Sequence, residues 1–174
     1  MLNDIAYVLL SAQEIEKRVS EIAAQINSDY SGKEPIIVSV LRGSFIFMAD
    51  LVRKLDLKCT VDFMYVSSYE NRSVTTGVVK IVKDLDIDLE GKDVIIVEDI
   101  LDSGLTLHYL KELLMTRRPA SIRTCSLLDK PARRKAQVTA DYVGFEVPDA
   151  FVVGYGLDYA QKYRNLPFVT SQAG

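Results

Sequence analysis

The sequence predicts an α/β fold in which helices flank a central parallel sheet. Two short, predominantly apolar runs, at 36–41 and 94–97, have the length and the β-branched content of strands buried on both faces. Each run is followed by a polar turn and then by apolar residues at helical spacing, over 45–55 and 107–115. Strand, turn and helix in this order are typical of parallel sheets, and a length of 174 residues predicts one domain spanning 1–174.

The composition is that of a globular protein with an acidic balance. Apolar residues make up 48% of the chain, the net charge is −3 and the pI is about 5.2, which disfavours a nucleic-acid surface. No apolar run reaches the ~18 residues of a membrane helix, and the first residues lack a basic signal-peptide start. We therefore expect no membrane partner and a cytoplasmic location, with Cys59 and Cys125 as reduced thiols. His108 is the only histidine, which excludes a metal site built from several histidines.

The first predicted helix begins behind a capping box formed by Ser11 and Glu14. Its apolar face predicts core packing and consists of Ile15, Val19, Ile22, Ala23 and Ile26. The break at 31–35 leads into the strand at 36–41, whose end carries a cation, a glycine and a hydroxyl: Arg42, Gly43 and Ser44. Such a turn is either a plain connection or an anion site at the carboxyl end of a strand.

A polar stretch without periodicity follows the next predicted strand. Residues 60–67 alternate and are rich in β-formers, and a strand resumes at 78–82. The stretch between them, 68–76, suits either a hairpin loop or a lid over a site.

The strand at 94–97 leads into the most informative part of the chain. Glu98 and Asp99 follow it, and a short turn from Asp102 to Thr106 then opens onto a helix. Glycine, hydroxyls and free backbone N–H groups at a helix start suit one phosphate, whereas adjacent carboxylates suit a sugar diol or a Mg²⁺ brought by the ligand. A phosphate at one end and a diol at the other describe a ribose 5-phosphate.

The C-terminal third adds further polar positions at strand ends. A strand at 121–128 is followed by Lys130, and the cations Arg133, Arg134 and Lys135 predict a solvated loop. The segment 151–159 is rich in aromatic residues and glycine.

The segment 97–106, Val-Glu-Asp-Ile-Leu-Asp-Ser-Gly-Leu-Thr, resembles the phosphoribosyl pyrophosphate motif of type I phosphoribosyltransferases. Within that family, nearly the whole chain is similar to the enzymes that act on hypoxanthine and guanine. The resemblance implies the type I phosphoribosyltransferase fold, with a small hood built from the chain ends. It also implies transfer of a phosphoribosyl group to a 6-oxopurine in purine salvage, with Mg²⁺ as cofactor and a homodimer or homotetramer as the assembly.

The resemblance assigns a role to each candidate residue. The phosphoribosyl group would contact Glu98, Asp99, Asp102, Ser103, Gly104, Leu105 and Thr106. Pyrophosphate would contact Arg42, Gly43 and Arg164. The purine would contact Lys130, Phe151, Val152 and Asp158, with Phe151 stacked on the base. Asp102 would be the catalytic group that exchanges the purine N7 proton. Mg²⁺ would contact Glu98 and Asp99, Asp158 would help to hold a second Mg²⁺, and the lid would carry Ser68 and Tyr69.

Two departures and two alternatives accompany this assignment. Arg42 stands where many relatives have lysine, a tolerable change because much of the pyrophosphate contact there comes from the backbone. Leu105 stands where some relatives have lysine, so the loop lacks a cation and backbone N–H groups must bind more of the 5′-phosphate. A xanthine-guanine enzyme of the same chemistry is one alternative. The other is a regulator of the same fold that senses phosphoribosyl pyrophosphate and binds RNA, which the acidic pI disfavours. Asp102, Lys130 and the segment 151–158 favour purine chemistry.

Overall fold

The computed structural model describes residues 3, 5–71 and 74–172, with side chains described for all of these except 68–71, 74–78 and 172. The strands are β1 (Ile5–Leu10), β2 (Ile36–Leu41), β3 (Thr60–Asn71), β4 (Val74–Lys83), β5 (Asp93–Leu101), β6 (Ser121–Asp129), β7 (Tyr142–Glu146), β8 (Val152–Val153) and β9 (Val169–Gln172). The helices are α1 (Ala12–Asp29), α2 (Phe45–Val52) and α3 (Leu105–Met115), with a 3₁₀ turn at Pro131–Arg133. In the described part of the chain, no helix has both the length and the apolar character needed to cross a membrane.

The central sheet has the order β4-β3-β2-β5-β6-β7. All its neighbouring strands are parallel except β3 and β4, which form an antiparallel pair. The predicted fold, a mainly parallel sheet flanked by helices, is confirmed. Since β2 and β5 are adjacent and parallel, the turns that follow them lie at the same edge of the sheet.

Alternating side chains of β2 and β5 enter two separate cores, one on each face of the sheet. Ile37, Ile95 and Val97 pack with α1 and α2 on one face. The other face carries Val38 and Ile96, which pack with α3. All five side chains are fully buried. Burial on both faces explains why apolar residues follow one another at these positions instead of alternating with polar ones.

The first helix has the predicted cap. The backbone N–H of Glu14 donates to Ser11 Oγ at 3.1 Å, and the backbone N–H of Ser11 donates to Glu14 Oε2 at 2.7 Å. All five predicted core positions of this helix are buried. The second helix is shorter than the predicted 45–55 and ends at Val52.

The chain ends form the hood. A small antiparallel sheet has the order β1-β9-β8, so the first and last described strands pair with each other. The predicted hood built from the chain ends is therefore confirmed.

Two sequence predictions about strand limits are wrong. The strand β5 continues to Leu101, so Glu98 and Asp99 lie inside it rather than behind its end. The segment 68–76 is not an irregular loop in the part that the structure describes, because β3 runs to Asn71 and β4 begins at Val74. The two strands are longer than the predicted 60–67 and 78–82, because their antiparallel pairing continues as far as Asn71 and Val74.

Candidate active site

A cleft of about 250 Å³ lies where β2 and β5 end. Its lining comes from the ends of these two strands, the turns that follow them and the start of α3: Val40, Leu41, Arg42, Gly43, Glu98, Asp99, Ile100, Leu101, Asp102, Ser103, Gly104, Thr106 and Leu107. Most of the predicted phosphoribosyl and pyrophosphate positions therefore share one cavity. Leu105 lies beside it as the first residue of α3.

The turn before α3 depends on Gly104. This residue caps the helix with a φ of +80°, a region that favours glycine. A Cβ there would lie 2.5 Å from Val138 Cγ1 and 2.9 Å from Arg134 Cδ. The first helical N–H groups have no partner within the helix, and Thr106 in this first turn lines the cleft. Together these features suit the binding of an anion at the N-terminus of α3.

The two adjacent carboxylates lie in a poorly solvated part of the cleft. Glu98 is only 8% exposed. Burial, with the charge of Asp99, raises the pKa of Glu98 well above its usual range. Burial also raises the pKa of Asp99 to about 6, although the N–H of Ile100 and the charge of Arg164 lower it and Asp158 raises it. Two such carboxylates favour a ligand that brings positive charge or hydroxyl donors.

Gly43 lies directly against the Asp99 carboxylate. A Cβ on Gly43 would lie 1.9 Å from Asp99 Oδ2, so a side chain cannot fit there without displacing the carboxylate. The peptide bond between Leu41 and Arg42 is cis. On its other side the Gly43 carbonyl meets Gly156, where a Cβ would lie 2.2 Å from that oxygen. Three distant segments are thus in direct contact at the pyrophosphate positions.

Gln161 joins the two arginines predicted to bind pyrophosphate, and the sequence contained no signal for it. Its Oε1 accepts from Arg42 Nη1 at 3.1 Å and from Arg164 Nη2 at 3.0 Å. Its backbone N–H donates to Asp158 Oδ2 at 2.8 Å, and Arg164 Nη2 lies 3.3 Å from Asp158 Oδ1. Tyr65 also escaped the sequence analysis, and the Arg42 guanidinium lies 5.1 Å from the centre of its ring.

The prediction of a solvated basic loop agrees with the exposed Arg133 and Lys135 but is wrong for Arg134. Arg133 Nε lies 3.1 Å from Asp102 Oδ1. Arg134 is mostly buried and donates to the carbonyl oxygens of Asp102 and Val138 at 3.2 and 2.7 Å and to the carboxylate of Asp129. The loop folds back onto the turn before α3 because these guanidinium groups find acceptors there.

The four predicted purine positions are not among the residues that line the cleft, and they lie on different elements. Lys130 follows β6, is 6% exposed, and its backbone N–H donates to the carbonyl of Leu101 at the end of β5. Val152 is buried in the hood sheet. Phe151 is 55% exposed and meets Tyr159 edge to face, with ring centroids 5.8 Å apart. The exposed ring of Phe151 is available for stacking.

The remaining predicted groups are the lid residues and the metal ligands. The side chains of Ser68 and Tyr69 lie outside the described ones, so the structure places only their backbone, in β3. Among the residues described, no three side chains of the types His, Cys, Asp and Glu are arranged to hold a metal ion by themselves. Glu98, Asp99 and Asp158 therefore do not form a site made of protein atoms alone.

The chain is similar to known proteins over almost its entire length. The family model described as "Phosphoribosyl transferase domain" matches residues 8–160. The hypoxanthine-guanine phosphoribosyltransferase of Bacillus subtilis is 56% identical over 169 residues, covering 97% of this chain and 94% of that protein. The hypoxanthine phosphoribosyltransferase of Salmonella typhimurium is 54% identical over 164 residues, covering 93% of this chain and 92% of that protein.

Solved structures give the same result. A crystal structure of a hypoxanthine-guanine phosphoribosyltransferase from Bacillus anthracis superimposes with a TM-score of 0.94 at 50% identity, covering 98% of this chain and 99% of that one. A crystal structure of a hypoxanthine phosphoribosyltransferase from Staphylococcus aureus superimposes with a TM-score of 0.97 at 48% identity, covering 99% of this chain and 94% of that one.

Proposed function

Because this chain belongs to the phosphoribosyltransferase family, we propose that it is a purine-salvage enzyme. It transfers the 5-phosphoribosyl group from phosphoribosyl pyrophosphate to hypoxanthine or guanine, giving IMP or GMP and pyrophosphate. The observation that carries the proposal is the single cleft in which a phosphate cradle, an acidic pair and the Arg42-Gly43 turn face one another.

The reaction breaks the bond between ribose C1 and the pyrophosphate oxygen and forms a bond from C1 to a purine nitrogen. Positive charge develops at C1 and negative charge on the leaving pyrophosphate. Ser103, Gly104, Leu105 and Thr106 bind the 5′-phosphate through hydroxyls and backbone N–H groups. Anchoring this end fixes C1 relative to the rest of the cleft.

The leaving group is stabilised from the opposite loop. The Gly43 backbone and the Arg42 guanidinium bind the pyrophosphate, and Arg164 contributes a second positive charge. Support for this role is the shared contact of both arginines with Gln161, which holds the two guanidinium groups at one side of the cleft. A loss of charge at either arginine slows departure of the pyrophosphate.

The acidic pair fits a magnesium ion that arrives with its ligand. Glu98 and Asp99 offer hard oxygen ligands whose raised pKa values reflect unneutralised, poorly solvated charge. They would hold this Mg²⁺, and Asp158 would help to hold a second one. When bound, the ion supplies positive charge against the developing charge of the pyrophosphate.

Asp102 is the acid–base group. It accepts the N7 proton that the purine must lose as it attacks. Lys130 donates to the 6-oxo group, Phe151 stacks on the ring, the backbone of Val152 bonds the purine edge, and Asp158 completes the pocket. The hairpin around Ser68 and Tyr69 closes over the reacting centre and excludes water.

The xanthine-guanine alternative keeps the same chemistry and differs only in the purine. The names of the relatives given above favour hypoxanthine and guanine. The RNA-binding regulator is disfavoured by the same names and by the net charge of −3. We also propose a homodimer or homotetramer in solution, which multi-angle light scattering measures directly.

The test is a spectrophotometric assay of hypoxanthine, guanine, xanthine and adenine with phosphoribosyl pyrophosphate, in Mg²⁺ and in EDTA. We expect nucleotide formation from hypoxanthine and guanine, little from adenine, and none in EDTA. Preferential use of xanthine would support the first alternative. Failure to use any base in Mg²⁺, together with RNA retention in a filter-binding assay, would support the regulator and overturn the proposal.

A further inference from the structure

The carboxylate of Asp102 is held on one side only. Its side chain is 45% exposed, yet Oδ1 is completely buried. Nε of Arg133 lies 3.1 Å from this oxygen, in an ion pair whose N–H is not aimed directly at it. The accessible side of the carboxylate is therefore the side of Oδ2.

Arg133 is itself anchored from a second direction. Its Nη1 lies 3.3 Å from Asp149 Oδ1, and its backbone N–H donates to the carbonyl of Lys130 at 3.1 Å. Asp149 precedes Phe151 by two positions, in the connection between β7 and β8. One guanidinium thus links the Asp102 turn to the segment that carries the aromatic ring.

We propose that Arg133 is a positioning residue for the reaction, because it holds Oδ1 of Asp102 and leaves Oδ2 directed at the purine. Without this contact the Asp102 side chain rotates among its staggered conformers, and the proton acceptor is in place for only part of the time. The inference rests on the proposed function, since it gives Asp102 a proton to accept. Asp149 keeps Arg133 in place while the purine enters.

The variants Arg133→Ala and Arg133→Lys test this role. Lysine keeps the charge but cannot span Asp102 and Asp149 with two separate nitrogens. For alanine we expect a fall in kcat of roughly 5–50-fold with the KM for phosphoribosyl pyrophosphate unchanged within about twofold, and for lysine a smaller fall. Because Arg133 is 53% exposed, the melting temperature should stay close to that of the parent protein.

Arg118→Ala is the matched control. Arg118 is an exposed arginine that pairs with Glu90 at 3.1 Å, on a turn remote from the cleft. Its removal deletes a comparable surface ion pair without touching Asp102, and kcat should not change.

A double-mutant cycle decides between positioning and a merely structural effect. If Arg133 acts through Asp102, then Arg133→Ala causes no further loss of kcat in an Asp102→Asn background. A loss from Arg133→Ala of less than about fivefold, or one of equal size in both backgrounds, overturns the inference. Both outcomes require an active parent enzyme, so an inactive parent refutes the proposed function instead.

Discussion

Replacement of Asp99 by asparagine should stabilise the protein while it removes activity. Burial raises the pKa of this carboxyl from 3.8 to about 6, which corresponds to about 3 kcal/mol of unfavourable free energy when the group is ionised. Because the cleft is open to water on one side, we expect a gain of about 1–3 kcal/mol in the free energy of unfolding at pH 8. Asparagine keeps an oxygen that can accept from the N–H of Ile100, as Asp99 Oδ1 does at 2.8 Å.

The gain in the free energy of unfolding that Asp99→Asn brings should increase with pH. Between the pKa of the unfolded chain near 3.8 and the folded pKa of about 6, the folded protein holds a proton that the unfolded chain has lost. The stability of the parent protein therefore falls as pH rises through this window, and the cost is fully present above it. Asparagine does not titrate, so its advantage is largest at pH 8, about half as large at pH 5, and absent below the unfolded pKa.

Urea unfolding in EDTA at pH 5, 6, 7 and 8 measures this dependence. Asp84→Asn is a control of opposite sign, because Arg117 lies 2.7 Å from Asp84 and its hydrogen bond lowers the pKa of that carboxyl. Asp84 is 47% exposed, so its variant should lose only about 0.2–1 kcal/mol. This loss should stay constant from pH 5 to 8, because a lowered carboxyl pKa stabilises the fold at every pH above the unfolded value of 3.8. The reasoning would be refuted if Asp99→Asn were no more stable than the parent protein at pH 8. It would also be refuted if the difference in the free energy of unfolding were the same at every pH.

Four further outcomes are expected. Asp102→Asn should lower kcat by roughly 10²–10⁴-fold with little change in phosphoribosyl pyrophosphate binding, and near parental turnover in a steady-state assay would exclude its acid–base role. Lys130→Ala should raise the purine KM by roughly 10–100-fold in the same assay, whereas an equal rise in both KM values would mean a structural role. Gly43→Ala should displace the Asp99 carboxylate and lower the free energy of unfolding by about 1–3 kcal/mol in urea. It should also weaken pyrophosphate binding in calorimetry, and an unchanged stability and affinity would contradict this prediction. Amide hydrogen exchange in 68–76 should slow when a purine nucleotide analogue, Mg²⁺ and pyrophosphate are added, and identical exchange rates would place the lid elsewhere.

The sequence alone determined the features that depend on near neighbours in the chain. The capping box at Ser11 and Glu14 and the two-sided burial of β2 and β5 follow from short patterns of apolar and polar residues. The phosphate turn from Asp102 to Thr106 is also local, because its glycine, hydroxyls and helix start are contiguous. Since parallel strands bring their carboxyl ends to one edge of a sheet, even the convergence of the Arg42 and Asp102 turns was predictable.

Only the tertiary structure decided the contacts between distant segments. Gln161 meets Arg42 across a separation of 119 residues, and Gly156 allows the Gly43 carbonyl to approach, yet neither contact leaves a periodic pattern in the sequence. Arg133 and Arg134 looked like unpaired cations because the partner that they share, the Asp102 turn, is distant in the sequence. Folding brings the Asp102 turn beneath them, and it removes water from Glu98 and Asp99. The pKa of a side chain depends on its burial and on the charged groups within a few ångströms of it. The protonation of the carboxylates in this cleft therefore follows from tertiary packing, which cannot be read from the order of residues in the chain.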